Sequence, residues 1–270
     1  MDSLTQFVLG AAVSTALLGK KLGPRKAALI GGVLGTLPDL DVLIPYDDPI
    51  DSFVYHRGWT HSVFVHALAA PLLGEGLIRL FKGLRDCRWL TWLTVFLCLA
   101  THAGIDAMTA YGTRLFWPFY PDPVGVGSVF IIDPLYTLPL LAGCLAFLYR
   151  PPASRTVAAG LLVSSLYLGW TLIAQQIITD RVRPALANAG MEQAALMVQP
   201  MPFNTVLWRA TAVSAGQRIE VVTGFLDASD ELVLERFPRQ PELARLVAEL
   251  PEARRLEWFT GGFLDYQQNG

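Results

Sequence analysis

Apolar residues gather into six runs separated by short polar connections: Leu4 to Leu18, Ala27 to Ile44, Val63 to Phe81, Trp89 to Ala110, Val129 to Tyr149 and Val157 to Ile178. Several approach the roughly 20 residues a helix needs to cross the hydrocarbon of a bilayer. The first run is short, and the second is interrupted by Pro38, which lacks an amide donor and ends or kinks a helix. With no basic stretch ahead of it and no small-residue cleavage site, the first run fits a retained helix better than a signal peptide. After Ile178 the pattern changes. The segments NTVLWRATAVS and QRIEVVTGFL alternate in part and flank Ala215 and Gly216, which predicts two paired strands. Pro241 to Arg255 reads as a helix, and Leu256 to Tyr266 as a final strand. The expected fold is mainly α: a polytopic transmembrane bundle of about six spans over residues 1–180, then a small α+β domain outside the membrane over 181–270.

Composition supports the membrane reading. The chain is 53% hydrophobic and 16% charged, with a mean hydropathy of +0.40. Soluble domains are roughly 45–50% apolar and about 25% charged. A formal charge of -2 gives no electrostatic case for binding nucleic acid. Cys87, Cys98 and Cys144 fall in or beside the apolar runs without CxxC spacing, so they suggest packing rather than disulfides or a zinc ribbon. Lys20, Lys21, Arg25, Lys26, Arg79, Lys82, Arg85, Arg88, Arg150 and Arg155 occupy alternate connections, and the intervening ones hold only Arg57 and Arg114. Short cytoplasmic loops carry the basic excess, so both chain ends are expected on the outer side.

That topology gathers the ionisable residues at one face. Asp39 and Asp41 end the second run, His56 and His61 precede the third, His102 and Asp106 lie late in the fourth, and Asp133 opens the fifth. Charges in apolar spans are costly and therefore candidates for function. His102 and Asp106 are one helical turn apart, a spacing that suits one ion and equally a His hydrogen-bonded to an Asp. Asp39 and Asp41 follow Pro38; in an extended segment both would point to one side, and a helix-capping role is the other reading. In HRGWTHS, Gly58 permits a tight turn that would let His56 and His61 face one site, against a solvated loop as the alternative. Two or more His with several Asp and no accessible Cys suit zinc or manganese. His66 falls off this face and suggests packing or support. Arg57 has the planar fork that grips phosphate, or is a plain exposed Arg. Asp133 before Pro134 is either a helix cap or a ligand. In the aromatic stretch around Trp117, Phe119 and Tyr120, interfacial anchoring competes with a lipid-guiding loop that would bring Thr113 and Arg114 near a headgroup phosphate.

The segments MDSLTQFVLGAA, GTLPDLD, HRGWTHS, HAGIDAMTAYGT, FWPF, IIDPLYTLPLL and PFNTVLWR together resemble the YdjM-like membrane-bound metal-dependent hydrolases, also described as LexA-regulated inner-membrane hydrolases, from Met1 to about Arg209. The resemblance implies a bacterial inner-membrane protein distantly similar to zinc-dependent phospholipase C. It implies ligands among Asp39 or Asp41, His56, His61, His102 and Asp106, with Asp133 a further candidate. Many relatives carry a His where this chain has Gln6, one nitrogen donor fewer. The expected activity is hydrolysis of a phosphoester or pyrophosphate of a lipid or lipid-linked substrate at the outer leaflet. A divalent metal, zinc or manganese, would serve as cofactor, with an unligated Asp of the 39/41 pair as base. A metal-ion or proton-coupled transporter and a non-enzymatic structural or stress-response protein are the alternatives. A serine nucleophile lacks its GxSxG.

Overall fold

The computed structural model describes residues 1–149, 154–227 and 232–268, so the basic connection beginning at Arg150 lies largely outside the described residues. Six helices run alternately up and down: α1 (Ser3–Leu22), α2 (Pro24–Thr36), α4 (Val63–Leu80), α5 (Arg88–Ala107), α6 (Pro134–Tyr149) and α7 (Ser154–Asn188), with a short α3 (Pro49–Tyr55) between α2 and α4. Helix α1 is the central member, packed against α2, α5, α6 and α7. Its Asp2 cap accepts from the Thr5 amide, and Val8, Leu9, Ala12 and Val13 lie in the main core with Val95, Cys98 and Leu99 of α5 and Tyr136 and Leu140 of α6.

The α1–α2 hairpin is close because both partners present glycine at the crossing. A Cβ on Gly31 would fall on the Gly10 carbonyl oxygen, and one on Gly10 would lie 2.9 Å from Gly35 Cα. This approach brings the C-terminal end of α2, and Asp39 just beyond it, against the C-terminal end of α5.

Among the described residues, three segments are long and apolar enough to cross a membrane: Val63–Leu80, Lys82–Ala107 and Arg155–Asn188. The other expected spans fall short of these criteria for physical reasons. Pro38 turns the chain into a 3₁₀ segment, Pro38–Leu43, leaving α2 with 13 residues, about 20 Å at 1.5 Å per residue. Helix α6 is apolar but has 16 residues. Helix α1 is long enough at 20 residues, but Thr5, Gln6, Ser14 and Thr15 within it and Lys20 and Lys21 in its last turn lower its hydropathy. The described chain is thus a mainly helical protein with three candidate membrane-spanning helices and a small antiparallel sheet.

At 35 residues, or about 52 Å, α7 is far longer than the roughly 30 Å of hydrocarbon. The sequence boundary at residue 180 falls inside it. Its last turns, through Ile178, Val182 and Leu186, make a second core with Trp208, Ala210, Ile219 and Val221 of the sheet. The sheet has the order β1 (Ala195–Pro200), β2 (Leu207–Val213), β3 (Gln217–Gly224), β4 (Glu235–Pro238), antiparallel throughout. The expected pair corresponds to β2 and β3, with Leu207 opposite Gly224. The expected strand over Leu256 to Tyr266 is instead the end of helix α9 (Pro251–Thr260) followed by irregular chain. Pro251 starts that helix, and Gly261, left-handed at φ 58, stops it. Before it, α8 (Pro241–Val247) occupies part of the expected helical stretch.

The hairpin makes a direct prediction. Gly31→Val should destabilise the detergent-solubilised protein by about 1–3 kcal/mol through overpacking, read as a lowered thermal midpoint. Gly76→Ala on α4, where an added Cβ meets nothing within 4 Å, should leave the midpoint unchanged or slightly raised.

Candidate metal centre

Four side chains from three parts of the bundle converge at its α5 C-terminal end: Asp39, His61, His102 and Asp106. The 3₁₀ form of Pro38–Leu43 decides which carboxylate arrives. With about three residues per turn, positions two apart point in different directions rather than to one side as in an extended segment. Asp39 therefore reaches inward to the imidazoles, and Asp41 turns to the HRGWTHS loop. His102 and Asp106 share one face of α5, with Nε2 and Oδ2 3.4 Å apart. His61 ends the 3₁₀ turn Trp59–His61, and Ser62 then caps α4 by accepting from the Phe64 amide.

The loop owes its shape to two residues. A Cβ at Gly58 would lie 2.7 Å from the Tyr55 carbonyl oxygen. The left-handed residue, however, is Arg57, at φ 61, a strained position for a residue with a Cβ. What holds it there is visible in its partners. Its amide donates to Asp41 Oδ2 at 3.0 Å, and its carbonyl accepts from the Arg114 amide at 3.0 Å. Its guanidinium lies 3.2 Å from Asp106 Oδ2 and donates to Thr109 Oγ1.

The hydrogen bonds fix the tautomers. Nδ1 of His102 is 2.6 Å from the Gly35 carbonyl, which can only accept, so Nδ1 carries the proton. Thr60 Oγ1 donates to Asp41 Oδ2 at 2.8 Å and is thereby free to accept from His61 Nδ1 at 3.0 Å. In each neutral ring the Nε2 lone pair then faces inward. These two Nε2 atoms are 3.0 Å apart. Each lies 3.3–3.4 Å from Asp39 Oδ1 and 3.4 Å from Asp106 Oδ2. A proton on one nitrogen would relieve only part of this repulsion. A cation would relieve all of it.

The spacing tests the fit of a metal. Zinc takes nitrogen and carboxylate donors at about 2.0–2.2 Å, and a tetrahedron of that size has edges of about 3.3–3.6 Å. Four of the five donor separations given above fall in that range, and the imidazole pair is slightly tighter. Asp106 Oδ2 is buried and has no hydrogen-bond partner, as a metal ligand would before the metal arrives. A set of two imidazoles and two carboxylates without thiolate suits zinc or manganese.

The other expected site residues lie outside this group of four. Asp41 accepts from His56 Nδ1 at 2.8 Å, from Thr60 and from the Arg57 amide, so both its oxygens are engaged. Burial alone would raise its pKa, but the hydrogen bonds from His56 and the Thr60 hydroxyl hold it below the usual carboxylate range. His56 thus braces Asp41 rather than joining the four. Asp133 caps α6 through the Leu135 and Tyr136 amides and accepts from Tyr167 at 2.7 Å. His66 Nε2 donates to the Thr60 carbonyl at 2.8 Å, supporting the loop. Arg57 is buried beside Asp106, whereas Arg114 is clamped between Tyr55 and Trp258, 4.8 Å from each ring.

The sequence reading did not single out Thr60, Thr109, Tyr111 or the Gly35 carbonyl. Tyr111 lies under the Arg57 guanidinium at 4.9 Å, and burial pushes its phenol up to about 12, so it stays protonated and donates to the Phe53 carbonyl. Gln6 was marked only as a departure from its relatives. It is fully buried and donates to Asp106 Oδ1 at 3.0 Å, beside the Met1 amino group on the same oxygen.

Residues 1–178 match the family model described as YdjM inner membrane protein. The chain belongs to this family. Searches of the curated proteins and of the solved structures give no match. The matched part of this family member holds all four convergent donors, the Arg57 loop and Gln6, while the sheet and α9 lie beyond it.

The division between donors and braces is testable by metal content. His102→Ala should abolish stoichiometric zinc or manganese binding. Asp41→Ala, which frees the His61 loop but removes none of the four donors, should weaken affinity about 10–100-fold in a chelator competition. Asp133→Ala should leave affinity unchanged.

Proposed function

We propose that this protein is a membrane-bound metal-dependent hydrolase. It acts on a phosphoester or pyrophosphate of a lipid or lipid-linked substrate, with its site and sheet domain facing the periplasm of a bacterial cell. The observation that supports this best is the meeting of four electron-rich atoms at 3.0–3.4 Å beside a buried guanidinium. When bound there, a zinc or manganese ion would supply Lewis acidity toward a phosphoryl oxygen and lower the pKa of water from 15.7 to about 7.

The chain's own residues divide the remaining work. His61 and His102 are held in the required tautomer by Thr60 and Gly35, so neither ring must reorient as substrate enters. Gln6 and Arg57 anchor Asp106 from two sides. Asp39 is the partly exposed donor, at 20% against 0% for the side chains of the other three, so it is the one with room to shift for an incoming group. Because Asp41 is engaged at both oxygens, the base would be the second oxygen of Asp39, the one not directed at the imidazoles, in place of a wholly unligated Asp. Arg57 places a fixed positive charge against the cluster, which favours an anionic phosphoryl group over a neutral ester. The basic connections at the opposite end of the bundle support the periplasmic orientation.

The test combines elemental analysis of purified protein with product release from vesicles of bacterial lipid extract. The native protein should carry a divalent metal and release products that chelator stops. His61→Ala and His102→Ala should lose metal and turnover together. Undiminished hydrolysis after chelation, or in both variants, would overturn the assignment.

A further inference from the structure

The surroundings of Asp39, the partly exposed donor, are unlike those of a water-facing site. Close to it in the chain, on either side of the Pro38–Asp39 step, are the exposed leucines Leu37 and Leu40, and the same 3₁₀ segment also exposes Val42 and Leu43, the last at 75%. Across from it, the turn that carries His61 exposes Trp59. Between Lys26 and Asp47 the sequence holds no acid or base except Asp39 and Asp41, and between Arg57 and Glu75 the ionisable residues are His61 and His66, both buried. A cluster of large exposed apolar side chains at a functional opening marks contact with an apolar partner.

Two stripes show what that partner is. On α2, Leu29 and Val33 are exposed at four-residue spacing, leading through Leu37 to Leu40. On the candidate span α4, Phe64, Leu68 and Leu72 continue the surface that begins at Trp59. The apolar surface beside Asp39 is therefore continuous with the surface that a membrane-embedded family member presents to lipid. The other flank of the HRGWTHS loop is polar. There Arg255 of α9 pairs with Asp48 and Asp51 at 2.8 and 2.7 Å, and Trp258 donates to Asp122 at 2.7 Å.

We propose that the Asp39 opening faces sideways into the bilayer, with Pro38–Leu43 and Trp59 seated among acyl chains and α3 and α9 in the headgroup layer. A ligand entering there is an amphiphile whose apolar chain stays in the membrane while its polar linkage meets the cluster. The substrate class rests on the hydrolase reading above; the seating of the segment does not.

The seating can be measured without activity. In full-length protein carrying Cys87→Ser, single nitroxide labels at Leu43→Cys, Leu68→Cys and Leu226→Cys would be compared in vesicles of bacterial polar lipid. Leu68 is the lipid-facing reference, and Leu226, 89% exposed after β3, is the aqueous one. The ratio of accessibility to oxygen over accessibility to a nickel chelate at position 43 should match that at 68 and exceed that at 226 by at least about tenfold, because hydrocarbon excludes the charged chelate. A label at 43 that behaves like the one at 226 overturns the proposal. Lipid-like accessibility at 43 in a protein that releases nothing from lipid vesicles would overturn the hydrolase reading and leave the seating intact.

Discussion

Mutual repulsion among four lone-pair-bearing atoms, closed in at the end of a helical bundle, is the constraint around which this protein is arranged. Two imidazole nitrogens and two carboxylate oxygens are kept at separations too short for water to come between them. Such crowding persists only if the surrounding fold forbids each group from turning away, and every one is tied. The Gly35 carbonyl holds His102, Thr60 and Asp41 hold the His61 loop, and Gln6 with Arg57 holds Asp106. The glycine-to-glycine approach of α1 and α2 serves the same end, because it sets the position of the Gly35 carbonyl relative to α5.

Arg57 shows how the polypeptide absorbs the cost. A left-handed residue with a long side chain is unfavourable, yet here it satisfies Asp41 with its amide, Arg114 with its carbonyl and Asp106 with its guanidinium. One strained residue thus connects the outer carboxylate to the inner one. The arrangement also explains why Asp39 and Asp41, two residues apart, have unlike surroundings: one faces the donors, the other the loop that positions them.

Much of this could be read from the chain before any coordinates. The His102 and Asp106 spacing survives because helix periodicity is local, and the gathering of the polar residues at one end followed from alternating spans. The distinction between donor and brace was not legible. It depends on a 3₁₀ turn after Pro38 that separates Asp39 from Asp41, and on the long-range contact of His56 with Asp41. Asp133 was readable as a cap from its place before Pro134, but only Tyr167, from a distant helix, shows what engages its second oxygen. The number of spans was legible only in part: among the described residues three segments have the length and hydropathy of a span, and the runs of α1, α2 and α6 are shorter or more polar. The fate of Leu256 to Tyr266 turned on Pro251, which starts a helix, and Gly261, which stops it, both present in the sequence.

The unbroken length of α7 has a consequence of its own. Because one continuous helix both packs in the bundle through Tyr167 and carries the sheet on Ile178, Val182 and Leu186, the angular setting of the sheet is indexed to residue count. Adding or removing one residue between those two stretches would rotate the sheet by about 100° and lift or lower it by about 1.5 Å. Arg255 would then no longer face Asp48 and Asp51. Length variation in this helix is therefore tolerable only in near-whole turns.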